Sequence, residues 1–105
     1  MQITTSDEIP GATVAELVDV VEGSVVVTKH VGRDFAAGFK SMFGGELKGY
    51  SEMLEEARWT ARSRMIEAAA ALGADAVIVV RYTTSAIAAG ASEVLCYGTA
   101  VKFTS

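Results

Sequence analysis

The chain has 105 residues, half of them hydrophobic, with 13 acidic against nine basic residues and a net charge of −4. That length makes one domain over residues 1–105, and the mixed, slightly acidic charge excludes the dense basic face that nucleic-acid binding needs. No apolar run reaches the roughly 18 residues that cross a bilayer, and a single cysteine excludes an internal disulfide, so the expected setting is the reducing cytoplasm.

Met1–Pro10 has neither the basic flank nor the apolar core of a signal peptide. Residues Ile3–Ala12 hold the only proline and read as a polar lead-in, with a short strand at Gln2–Thr5. The next stretch is rich in valine. Val14, Glu16, Val18 and Val20 share one face; Ala15, Leu17, Asp19 and Val21 share the other. Glu22-Gly23-Ser24 interrupts it, which predicts two strands, Thr13–Val21 and Val25–Val31, separated by a turn or bulge. Arg33–Phe43 has the spacing of a short amphipathic helix, with Phe35, Phe39, Met42 and Phe43 on its apolar edge and Asp34 at the positive end of its dipole. Gly44-Gly45 is expected to end it in a sharp corner.

A long helix follows from about Tyr50 to Leu72. At 100° per residue, Tyr50, Leu54, Ala57, Ala61, Met65, Ala68 and Leu72 fall in one stripe, the natural core face. Trp59 and Ile66 fall almost opposite, among charged residues, and are expected to form an oligomer interface. The mean hydropathy of +0.33 suits a chain with apolar surface left for a partner. Gly73 sits where a helix is closed by a left-handed residue.

Ala76–Val80 is a continuous apolar run of strand length, continuing through Arg81–Ser85. Ala88-Ala89-Gly90-Ala91 reads as a turn. The strand Glu93–Thr104 then places Leu95, Tyr97, Val101 and Phe103 on one side. Small residues Cys96, Gly98 and Ala100 on the other side let a neighbour approach the backbone. The order strands, helices, strands gives an α+β fold: two layers, an antiparallel sheet packed against one long and one short helix.

Three constellations bear on chemistry. His30 and Cys96 are the only histidine and cysteine, so a soft metal needs copies of them, or repeated carboxylates, brought together between subunits. The plain alternatives are a polar strand-end histidine and a small buried cysteine. The same two residues are the only possible Cys–His pair, and nothing orders them as nucleophile and base. Finally, Gly44, Gly45 and Gly49 lie beside Lys48 at a helix start, where backbone N–H groups can meet an anion. Arg33, Asp34, Glu46, Tyr50 and Arg58 would complete a speculative polar ligand site there. The spacing is not that of a P-loop, and glycines in a helix corner explain the motif equally well. Arg58, Arg62 and Arg64 are interleaved with Glu55, Glu56 and Glu67, as in a solvated ion-pair face or a subunit contact.

Several blocks taken together resemble the YbjQ-like family, small bacterial proteins labelled as heavy-metal-binding. They are Val31-Gly32-Arg33-Asp34, Phe43-Gly44-Gly45-Glu46-Leu47-Lys48-Gly49-Tyr50, the Glu-Glu-Ala-Arg at 55–58, Leu72-Gly73-Ala74-Asp75-Ala76-Val77 and Tyr97-Gly98-Thr99-Ala100-Val101. The resemblance runs nearly the whole chain. It implies a dodecin-subunit-like fold and a ring-shaped homopentamer. The functional expectation is a non-catalytic, cytoplasmic homo-oligomer with a structural or small-ligand-binding role and itself as partner. Its alternatives are a transition-metal protein with an intersubunit site and, further off, an enzyme acting on an anionic substrate near Gly44–Tyr50.

Overall fold

The computed structural model describes residues 1–28 and 45–104, with side chains of the helix from Gly49 onward. The expected short helix Arg33–Phe43, His30 and the end of the second expected strand lie outside the described residues. The elements are β1 (Gln2–Ile3), β2 (Val14–Thr28), α1 (Gly45–Ala71), β3 (Ala76–Ala88) and β4 (Ala91–Phe103). They form an α+β fold with sheet order β1-β3-β4-β2. The sheet is mixed rather than wholly antiparallel: β4 runs antiparallel to β2 and β3, but Gln2 and Ile3 pair in parallel with Ala76 and Val77.

The expected break at Glu22-Gly23-Ser24 does not occur. β2 runs straight through it, with Glu22, Gly23 and Ser24 in register against Tyr97, Cys96 and Leu95, and its irregularities fall at 14–16 and 17–19. Gly23 has another use. A Cβ there would collide with the Ala61 carbonyl oxygen, the Met65 amide and the Arg64 Cβ, so this glycine is where α1 rests on the sheet. α1 also starts five residues earlier than Tyr50, taking in Gly45. A glycine in the first position of a helix costs little of what it costs in the interior.

Of the expected core stripe, Ala57, Ala61 and Met65 pack fully inward and Leu54 and Ala68 partly, while Ala69, outside that stripe, is buried with them. Ala57, Ala61, Met65 and Ala69 are buried against Val21, Val27, Val77, Val80, Val94, Cys96 and Ala100. Leu72 at the helix end is exposed instead, and Ile66 packs half-buried on the core, leaving Trp59 as the large exposed side chain of the opposite flank. The helix ends as Gly73 predicts: Gly73 has φ 73°, its N–H donates to the Ala70 carbonyl, and the Ala74 N–H donates to Ala69.

On the face away from α1, the segment after β1 folds over the lower sheet. Ile9 is buried there with Ala76 and Val101, flanked by Ala12, Ile78 and Phe103. Further up, this face is bare. Leu17 is 70% and Val20 67% exposed, and Val26 and Tyr97 are also open.

β3 carries a bulge between Ile78 and Arg81, which face Thr99 and Tyr97. Val79 sits in it with φ 52°, a left-handed conformation unusual for a β-branched residue. The N-terminal segment holds it in place. The Val79 N–H donates to the Ser6 carbonyl and the Val80 N–H to the Thr4 carbonyl, each at 3.0 Å, while Arg81 Nη1 donates to the Thr5 and Val80 carbonyls at 2.9 Å.

Two glycine substitutions should part in sign. Gly23→Ala drives a methyl into helix backbone and should lower unfolding free energy by about 3 kcal/mol or more. Gly49→Ala points into open space within a helix and should raise it by up to ~1 kcal/mol. Urea unfolding of both variants checks this; a Gly23→Ala variant as stable as the parent would mean that α1 does not bear on β2 there.

Candidate functional site

α1 lies over β2 and β4 and hardly over β3. The helix side of β3 is therefore a shelf, and the flank of α1 is its wall. Residues three and four apart on a helix share a flank, so Glu55, Arg58, Trp59 and Arg62 project together toward that shelf, where Tyr82 faces them. These five residues line an open cleft of about 430 Å³. Arg62 lies over the Trp59 ring, 4.8 Å from its centroid, a cation–π contact that fixes both side chains.

The cleft floor continues inward through a short polar chain. Tyr82 and Cys96 are cross-strand partners, and the phenol, the thiol and the Arg62 guanidinium interact with one another. Behind them the buried Cys96 Sγ donates to Met65 Sδ at 3.6 Å. Burial pushes the Cys96 thiol above its usual range, outweighing the Tyr82 hydrogen bond and Arg62 charge that favour the thiolate. Tyr82 is likewise raised, chiefly by burial and then by the neighbouring Cys96. A protonated, buried thiol is a poor nucleophile and a poor metal ligand.

Only part of the ligand site expected near the glycine corner falls within the described residues. Arg33, Asp34 and Gly44 lie outside the described residues. Gly45 and Glu46 lie in the first turn of α1 and Tyr50 is half-buried one turn on. Arg58 is 13 residues beyond Gly45, roughly 20 Å along the axis at 1.5 Å per residue. Arg58 belongs to the cleft instead. Two of the helix arginines have contacts of their own: Arg62 stacks on Trp59, and Arg64 Nη1 donates to the Ser24 carbonyl at 2.6 Å. His30 lies outside the described residues, so its meeting with Cys96 is not described. Among the described residues, no three His, Cys, Asp or Glu side chains gather as a metal site, and no helix is long and apolar enough to cross a membrane.

Tyr82 is the member that sequence reasoning missed. Strict alternation from Val77 would turn it to the other face. The bulge at Val79 adds one residue, so Val77, Val80 and Tyr82 all face the helix side.

Comparisons with known proteins agree with the fold. A family model described as "Putative heavy-metal-binding" matches residues 1–104. A UPF0145 protein of Thermotoga maritima is 58% identical over 102 residues, covering 97% of this chain and 96% of its own length. A UPF0145 protein of Vibrio campbellii is 56% identical, covering 97% of this chain and 98% of its own. A crystal structure of a protein of unknown function of the DUF74 family from Pediococcus pentosaceus has the same fold. Its TM-score is 0.62 at 20% identity, over 99% of this chain and 98% of that one.

The thiol gives a pH prediction. Unfolding frees Cys96 to ionise at its ordinary value of 9.0, while the folded thiol keeps its proton to higher pH. The contribution is thus fully present below 9.0 and is lost as pH rises beyond it; Tyr82 acts with the same sign above 10.0. The melting temperature should fall as pH rises past 9.0, and less steeply for Cys96→Ala. Equal slopes for the two proteins would remove Cys96 from the cause.

Proposed function

This chain belongs to the YbjQ-like family, whose model covers it almost end to end, and from that premise we propose a non-catalytic, self-assembling cytoplasmic protein with a structural or ligand-binding role. The observation that carries the reading is the bare upper face of the sheet. A sheet face normally buries its apolar side against a second layer. Here Leu17, Val20, Val26 and Tyr97 stand open on the face away from α1. Exposed apolar side chains on a sheet face, here interleaved with Glu22, Ser24, Arg81 and Glu93, support an interaction surface, and another copy of the chain is the simplest cover.

The pentamer that the family resemblance implies remains the finer form of this proposal. Five 11.0 kDa subunits would run at about 55 kDa. The lone reduced thiol suits a reducing compartment. A second reading, a metal held between subunits by His30 and Cys96, draws on the family description alone. The protonated Cys96, bonded to Met65, speaks against its own part in that site.

Light scattering coupled to size-exclusion chromatography tests the assembly. The parent should run as an oligomer at micromolar concentration, and Val20→Glu should lower its mass without changing its circular dichroism. Val20 has no contact with α1 to lose, so a Val20→Glu variant of unchanged mass would acquit that face. A clean 11.0 kDa parent would end the reading. Calorimetric titration with Zn²⁺ and Cu²⁺ addresses the second reading, which fails if no stoichiometric binding appears.

A further inference from the structure

We propose that the cleft between α1 and β3 binds a small aromatic anion: a flat ring bearing one carboxylate or phosphate, with the ring against Trp59 and the anion between Arg58 and Arg62. The proposal is independent of assembly, since the cleft lies on the helix side of the sheet and the bare apolar face lies on the other.

Five observations converge on this class of ligand. The lining holds two guanidinium groups against one carboxylate, a net positive site matched to a small anion rather than to a polyanion. Trp59 is 58% exposed although the helix core has no use for it, and with Arg62 over one face of its ring it has the other to offer for stacking. Arg62 is already held over that ring and beside the Tyr82 hydroxyl, so ordering it costs a ligand little. Its planar fork suits a carboxylate or phosphate better than a point charge would. The volume of about 430 Å³ falls in the range of small-molecule sites.

The fifth observation concerns Tyr82. It faces the cleft only because β3 bulges at Val79, and the left-handed φ there is held by three consecutive carbonyls of the N-terminal segment. Bulges that re-aim a side chain, and backbone strain that the surroundings hold in place, concentrate at binding sites. Tyr82 supplies a hydroxyl at the cleft floor. Glu55 at the rim accepts a hydrogen bond from an N–H or O–H on the ring.

Trp59 is the only tryptophan, so its fluorescence reports on the cleft directly. The full chain would be titrated with benzoate and with AMP, each beside its uncharged twin, benzamide or adenosine. Saturable quenching by at least one anion at up to about millimolar concentration is expected, with its twin at least roughly tenfold weaker. Arg58 takes no part in the Trp59 stack, so Arg58→Gln should keep the fold and weaken binding by roughly the same factor. A response to AMP alone identifies a phosphate-bearing ligand, and to benzoate alone a carboxylate. The proposal is overturned if neither anion saturates, if the uncharged twins bind equally, or if Arg58→Gln binds as the parent does. It is also overturned if iodide cannot reach Trp59, which would make the cleft a closed subunit contact.

Discussion

The rest of this fold depends on how closely α1 can approach the sheet, and that distance is set by an absence of side chain. Gly23 faces the helix backbone at Ala61 and Met65 with no room for a Cβ. Alanines at 57, 61 and 69 keep the helix side equally thin, and Met65 fills the space between them. A helix seated this low on β2 and β4 buries a stripe of alanines around one methionine, and the core beneath it is close-packed. The same seating decides what stays open. With α1 drawn toward β2, β3 keeps an uncovered helix-side surface, and a cleft exists where a centred helix would have filled it.

The second constraint comes from the N-terminus. β1 is only two residues long, yet the carbonyls just after it take the N–H groups that the β3 bulge frees. A bulged strand with unpaired donors would be costly in a buried sheet. Here the donors are satisfied by a segment that also carries Ile9 to the opposite face. One short stretch of chain thus tolerates the left-handed Val79, orients Tyr82 and covers the lower sheet.

Much of this architecture was legible in the sequence because it follows from period and punctuation. The 3.6-residue stripe of α1, its closure at Gly73 and the hairpin of β3 and β4 required only local chemistry. The small-residue side of β4 announced the close approach. Gly23 misled, because a glycine in a valine run signals a turn and a tight contact alike, and the contact partner lies some 40 residues away. Ile66 misled for a related reason: an angle on a helical wheel says nothing of how far the core reaches round. Tyr82 could not be placed at all, since its face depends on one extra residue in the β3 ladder, and that residue is set by tertiary hydrogen bonds. Arg58 was linked with the glycine corner through sequence proximity, whereas helix rise carries it away.

The sheet order also fixes when the molecule can become itself. β2 has β4 as its sheet neighbour, and the first rungs of that ladder join Val14 to Phe103. β1 in turn needs Ala76 and Val77. During synthesis the valine-rich second strand therefore leaves the ribosome with nothing to pair with, and α1 follows with no platform to settle on. Only the hairpin of β3 and β4 can form from neighbours in sequence, so it is the natural nucleus. Until β4 emerges such a chain carries an unpaired adhesive strand, and its safety in a crowded cell rests on how quickly Ala91–Phe103 follow β2.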